Sequence, residues 1–262
     1  MIYTNAMEEQ EVRHRNGLEA LTRAKNAAPR TGRAAKEETM RRGVWAATVI
    51  IAMGLFLGAW LHWLPLRLVE VLGFITGAVC VLLVVEQNIW NFPVGIANNL
   101  AFIALFFTAR LYGDMALQFV YLGLGAAGWY QWRYGGAGHT ALRVRRTPLG
   151  EAAVLAVAGI AATAAGTWYL ARIGDAAPFL DALTTVLSLV AQYLLNGKRL
   201  ENWFVWITAD IFYVYLYIAK GLYLTAVLYA LFIGLCLAGL RAWLDSLRRQ
   251  RAAEAAPALV EG

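Results

Sequence analysis

The sequence predicts an all-α polytopic membrane protein: eight TM helices, with two parallel three-helix repeats joined by a linker helix (3+1+3) and an extra N-terminal TM helix. Three observations carry this reading. Of 262 residues, 60% are apolar and only 15% are charged, against roughly 25% charged in soluble domains. The apolar residues fall in eight stretches of about the 20 residues that cross a hydrocarbon core. The chain also matches itself at an offset of 111 residues.

Residues 1–43 form a basic arm with nine Lys or Arg and no apolar run, which reads as a cytoplasmic surface segment and not as a cleaved signal peptide. Residues 44–64 are the extra span. Spans at 68–86, 92–109 and 114–132 make the first repeat (68–132), and 149–171 is the linker helix. Spans at 179–196, 202–219 and 222–243 make the second repeat (179–243), and 244–262 is a cytoplasmic tail. With Arg241 counted at the end of the last span, one face carries 19 Lys and Arg and the other 4. By the positive-inside rule both termini are cytoplasmic. The net charge of +6 then belongs to loops such as "RVRRT" facing anionic lipid headgroups, and needs no nucleic acid.

At the 111-residue offset, 91–132 aligns with 202–243 without a gap, and 12 of 42 positions are identical. Asn91 meets Asn202, Gly128 meets Gly239 and Trp132 meets Trp243. Four crossings separate the copies, so both insert in the same direction, as in repeats related by an axis along the membrane normal. The spans preceding each copy share only a loose pattern, and their alignment calls for an insertion. Repeat transporters hold substrate near the bilayer midplane between the two units.

That expectation gives meaning to "ENWFVWITAD" at 201–210. Trp203, Trp206, Asp210, Tyr213 and Tyr217 recur at steps of three and four and share one helix face. The equivalent face of the first copy holds Gly95 and Asn99, with Asn98 beside it. A carboxylate at mid-membrane costs about 2.5–3.5 kcal/mol on insertion scales and usually faces a bundle interior. An indole beside a carboxylate suits a flat, positively charged ligand such as a nucleoside-like cation, and Asn98, Asn99 and Gln118 suit an amide or sugar. Trp203 fits an interfacial belt as well as a binding wall. Trp132 and Trp243, at span ends, read as belt residues. Gln192 is a weaker candidate, since its place is expected near the cytoplasmic interface.

Chemistry lacks its parts, so no enzyme and no cofactor is expected. His14, His62 and His139 are scattered, without grouped metal ligands. No phosphate loop, nucleophile elbow or paired carboxylates occur. Cys80 and Cys236 sit within spans and read as packing residues.

The stretches "NIWNFPVGIANN" and "GKRLENWFVWITADIFYVY" resemble the PnuC family of bacterial nicotinamide riboside transporters, over about residues 68–243. The resemblance implies a fold similar to a full-length SWEET sugar transporter, often a homotrimer, in the bacterial cytoplasmic (inner) membrane. It implies inward facilitated diffusion of unphosphorylated nicotinamide riboside (a vitamin B3 form used in NAD biosynthesis), trapped inside by a cytoplasmic riboside kinase. Trp206 and Asp210 match the family's riboside-binding pair. Many members carry asparagine where this chain has Asp210, and relatives handle thiamine, riboflavin or deoxynucleosides, so those substrates and ion coupling stay open. The candidate substrate contacts are Trp206, Asp210, Asn99, Asn98, Trp203, Tyr213 and Gln118.

Overall fold

The computed structural model describes residues 38–39, 42–64, 68–108, 112–219, 221 and 223–255. Most of the basic arm, and residues 256–262 of the tail, lie outside the described residues. The chain divides into two compact units, Met1–Pro65 and Leu66–Gly262. In the first, α1 (Arg42–Trp60) is an apolar helix on which Phe56 and Trp60 stack at 6.2 Å. A turn with His62 at φ 59° ends it, four residues before the predicted end of this span.

The second unit holds α2 (Leu68–Val85), α3 (Asn91–Thr108), α4 (Tyr112–Tyr134), α5 (Leu149–Arg172), α6 (Pro178–Asn196), α7 (Asn202–Ala219) and α8 (Tyr223–Ala255), with a short 3-10 turn at Ala137–His139. Pro178 opens α6, where its missing N–H leaves no intrahelical bond unmade. Helix α8 runs 33 residues, about 50 Å at 1.5 Å per residue, and so carries the helix well past the predicted span end at 243. Five of the described helices are long and apolar enough to cross a membrane: α1, α3, α5, α6 and the Thr225–Glu254 stretch of α8. Helix α7 falls short in composition, because Asn202, Asp210 and its tryptophans and tyrosines lower its mean hydropathy.

The helices pack as a closed ring. Helix α2 touches α3 and α8, α3 touches α4, α4 touches α6, α6 touches α7, and α7 touches α8; α5 packs on α6, outside the ring. Along α5 and α6 small residues permit close approach: a Cβ on Gly166 would stand 3.1 Å from that of Ala182. The outer face of α5 stays exposed, as at Val154, Val157 and Ile160.

Adding 111 to a residue number carries the contacts of one half onto the other. Phe92 and Trp132 meet edge to face at 5.1 Å, as Trp203 and Trp243 do at 5.4 Å. The Trp132 indole donates to Leu195 O at 3.0 Å, and the Trp243 indole donates to Val84 O at 3.0 Å. Each bond therefore crosses from one half to the other. The offset also holds, without insertion, through the turns ending α2 and α6. Gln87 and Lys198 both take a left-handed backbone, φ 54° and 47°, and Asn91 and Asn202 each donate to the carbonyl three residues back, at 2.8 and 2.6 Å.

Trp132 and Trp243 are thus not interfacial belt residues. They are 2% and 0% exposed, because an indole N–H in an apolar bundle needs an acceptor and the last carbonyls of α2 and α6 supply one. Only the second half's turn is clasped by the α4–α5 connection. Arg145 N donates to Lys198 O at 3.0 Å and Leu200 N to Arg145 O at 2.9 Å, while the Glu201 carboxylate accepts from the Thr147 hydroxyl at 2.7 Å. Leu142 and Val144 are buried beneath this clasp beside the tryptophans.

Lys198 is buried at this end, its Nζ 4.3 Å from the Trp132 ring centroid and 3.5 Å from Gln87 Oε1. Burial lowers its pKa from 10.5 to about 8, since desolvation disfavours the ammonium. Below pH 8 both folded and unfolded chains hold the proton and the fold carries the cost of the buried charge. Between about 8 and 10.5 the unfolded chain binds the extra proton, so stability rises with pH. The melting temperature of wild-type protein in detergent is expected to climb from pH 8 to pH 10 relative to Lys198→Met measured alongside; parallel curves would contradict this.

Two glycines test the packing. A Cβ on Gly239 would stand 2.3 Å from the Trp203 ring, whereas one on Gly234 meets nothing within 4 Å. Gly239→Ala is expected to cost about 1–3 kcal/mol by overpacking, and Gly234→Ala to leave thermal stability unchanged or slightly raised.

Candidate substrate site

The ring encloses a cavity of about 430 Å³ lined from α2, α3, α4, α6, α7 and α8. Of the 25 described residues that line it, 20 form ten pairs separated by 111 positions, so the two halves contribute the same places to one chamber. What they contribute differs. Gly95 faces the place of Trp206, Asn99 that of Asp210, Gln118 that of Tyr229, and Gly125 that of Cys236. The glycines leave the wall bare at places where the other half carries an indole or a thiol.

Depth follows from distance to the turns. Trp206 lies four residues into α7 and Gln192 four residues before the end of α6, each roughly 6 Å from the turn at 1.5 Å per residue. Asp210 and Ser188 lie eight residues away, roughly 12 Å in. The chamber thus has an inner layer with an indole and an amide, and a deeper one with a carboxylate, a hydroxyl and Asn99.

All seven sequence-predicted residues line this cavity, in different settings. Asp210 is 6% exposed, with the Cys236 thiol 3.8 Å from its Oδ2; it is the one charged side chain among the described lining residues. Asn98 is tied to α2 by Thr76 Oγ1 at 2.9 Å. Tyr213 stacks on Tyr229 at 4.7 Å, and Tyr217 on the same ring at 5.2 Å, a pile of rings on the side of Asp210 away from the turns. Trp203 is 1% exposed and forms the chamber floor against Trp243. It is neither a lipid-facing belt residue nor an open stacking platform, whereas Trp206 is half-buried with its ring at the chamber.

Sequence reasoning ranked Gln192 low and passed over the rest of the polar strip of α6. Ser188, Gln192 and Asn196 recur every four residues along a helix that the second half turns inward. Ser188 and Gln192 line the cavity, and Asn196 is 3% exposed behind them. Polar residues at that spacing in an apolar span were the available signal. The first half places Gly77 and Val81 at the lining positions equivalent to Ser188 and Gln192, which hid the match between α2 and α6. Among the described residues no group of His, Cys, Asp or Glu could hold a metal ion, and Cys80 and Cys236 are free thiols.

The comparisons agree with one another. A family model described as nicotinamide mononucleotide transporter matches residues 67–245. The nicotinamide riboside transporter PnuC of Escherichia coli is 28% identical over 208 residues, covering 70% of this chain and 87% of that protein. The riboflavin/roseoflavin transporter RibM of Streptomyces davaonensis is 31% identical over 199 residues, covering 72% and 91%. The crystal structure of the vitamin B3 transporter PnuC has the same fold, with a TM-score of 0.61 at 23% identity over 80% of this chain and 92% of that one. With an apolar helical bundle, a chamber at its centre and relatives that are transporters and not enzymes, the chain belongs to the nicotinamide mononucleotide transporter family of multi-pass membrane proteins.

Proposed function

We propose that the protein imports nicotinamide riboside across the bacterial cytoplasmic membrane by facilitated diffusion. The observation that carries this reading is the pairing of Trp206 with Asp210 in a chamber where no other charged side chain stands among the described lining residues. A pyridinium ring stacks on the indole and its positive charge is offset by the carboxylate, while Asn99, Asn98 and Gln118 take the ribose hydroxyls. Trp203 and Tyr213 act as floor and outer wall. A phosphate would enter beside a carboxylate with no basic side chain to receive it, which favours the riboside over the mononucleotide.

The architecture we infer has eight spans in a 3+1+3 arrangement similar to SWEET transporters. Residues 68–132 and 179–243 are the repeats, 149–171 the linker, 44–64 the extra helix, 1–43 the arm and 244–262 the tail. Support comes from the contacts that recur at 111 residues and from the ring order of the helices. Both termini lie in the cytoplasm, which puts the clasped turns and the chamber floor on the cytoplasmic side. The protein works as a homotrimer and as a uniporter, and a cytoplasmic riboside kinase traps the product.

A second substrate has one observation in its favour: RibM, 31% identical, is named for riboflavin and roseoflavin. Uptake of labelled nicotinamide riboside into proteoliposomes, with unlabelled riboside, riboflavin and thiamine as competitors, separates the readings. Saturable riboside uptake that persists without a proton gradient supports the proposal. Uptake of riboflavin alone would reject the substrate, and collapse with the gradient would reject uniport. Trp206→Ala is expected to lose about 1–3 kcal/mol of riboside binding, the range for bases stacked on protein aromatics. Asp210→Asn is expected to weaken binding of the cationic riboside more than that of an uncharged competitor, measured by calorimetry on purified protein.

A further inference from the structure

Gln192 is held in one orientation by a chain of hydrogen bonds that starts on the backbone. Asn196 donates through Nδ2 to Leu124 O at 2.8 Å. That carbonyl can only accept, so the Asn196 amide has its nitrogen toward α4 and its oxygen toward α6. Asn196 Oδ1 then accepts from Gln192 Nε2 at 3.0 Å. It can accept only from a nitrogen, so the Gln192 amide is set in turn, and its Oε1 is the acceptor left without a partner from this chain of bonds. Asn196 does not turn over: it is 3% exposed, and reversed it would set its oxygen against Leu124 O. The relay runs from a fixed carbonyl on α4, through a locked amide, to a cavity-lining amide on α6.

From this geometry we infer that Gln192 is a specificity-determining residue whose Oε1 accepts a hydrogen bond from the substrate's carboxamide, with Asn196 as its positioning residue. The inference rests on the nicotinamide riboside reading above and names the group that reads its amide. Depth assigns the contact. Gln192 and Trp206 stand at the same distance from the turn that joins α6 to α7, so a ring stacked on Trp206 has its in-plane substituent at the level of Gln192. The hydroxyl-bearing sugar then falls at the deeper layer with Asn99, Ser188 and Asp210. An acceptor at the substituent selects for N–H. A carboxylate or an ester there places oxygen against oxygen and leaves Oε1 unpaired, which is the strong form of discrimination at a buried polar site. The first half has Val81 in the equivalent place, so the amide has one such reader, and the chamber accepts the ring in one sense.

The test uses the full-length protein in nanodiscs and three ligands in calorimetry: nicotinamide riboside, its methyl ester analogue, which keeps the ring charge and the carbonyl but lacks N–H, and its 2′-deoxy analogue. Wild type is expected to favour the amide over the ester by about tenfold, the equivalent of one hydrogen bond. Gln192→Leu should bring that ratio to within about twofold by weakening the amide alone. Its undiminished ester binding shows that the variant is folded and its chamber intact. An amide-to-ester ratio unchanged in Gln192→Leu overturns the inference. So does a variant whose loss falls on the distinction between riboside and 2′-deoxyriboside, since Gln192 would then be reading the sugar. Wild-type protein that binds neither amide nor ester while binding riboflavin would overturn the substrate reading itself, a result recognisable before any variant is made.

Discussion

The structure depends on two indole N–H groups that find their acceptors in the opposite half. An indole N–H left without an acceptor in an apolar bundle costs several kcal/mol, and a carbonyl at a helix end has a lone pair to spare for one. Helices α2 and α6 end where the bundle is tightest, and Val84 O and Leu195 O accept from Trp243 and Trp132. Each bond crosses between halves and brings a second donor to a carbonyl that already accepts from its own turn, Gln87 N at Val84 O and Lys198 N at Leu195 O, both at 2.9 Å. The same tryptophans carry Phe92 and Trp203 on their edges, and Gly128 and Gly239 let those rings approach to distances a methyl group would forbid. The floor of the chamber is therefore made of the contacts that join its two sides.

Backbone sameness and side-chain difference then divide the work. The repeated geometry supplies a hole on a local axis, and a hole with matching walls would receive a ligand in either of two senses. The differences remove that ambiguity. Bulk at Trp206 meets the space at Gly95, charge at Asp210 meets the neutral amide of Asn99, and the polar strip of α6 meets Gly77 and Val81 on α2. The clasp between the α4–α5 connection and the α6–α7 turn adds a further asymmetry at the floor. The Arg199 guanidinium lies 2.5 Å from the Glu151 carboxylate, and both partners are largely shielded, so this pair is worth more than an open surface bridge. The corresponding turn of the first half meets its counterpart through Gln87, reaching toward Lys198.

Much of this was legible in the residues. Spans emerged from hydropathy because hydrocarbon imposes length, and the offset of 111 emerged where tryptophan, glycine and asparagine recur, since each is held by a contact that tolerates few substitutes. The stripe at Trp206 and Asp210 was readable because a carboxylate is costly in a span. Three things were not. Trp132 and Trp243 look like belt residues by position, and only the fold shows that the span ends they occupy are buried against each other. The equivalence of α2 and α6 was obscured because one copy lines the chamber with glycine and valine and the other with serine and glutamine: in a pseudo-symmetric cavity, the lining is where the copies must diverge. Gln192 was undervalued for the same reason that makes it informative, since its meaning lies in Asn196 and Leu124, 72 residues apart in sequence.

The aspartate sets the last constraint. A buried carboxylate is ordinarily matched by a basic side chain or by several N–H donors, and Asp210 has neither among the groups lining the chamber; a thiol at 3.8 Å is a weak donor. An asparagine in that place would hold the same shape at lower cost, as Asn99 does in the other half. The cost of burying that carboxylate is thus not offset by a charged partner among the described residues of the chamber walls. On the proposed reading it is offset when a cation occupies the space beside Trp206, because the ligand then supplies the missing partner. On this argument the empty chamber is the less stable condition of the same fold. The free energy regained on loading is tied to the sign of the ligand's charge, and this selects for a cation before any hydrogen bond is compared.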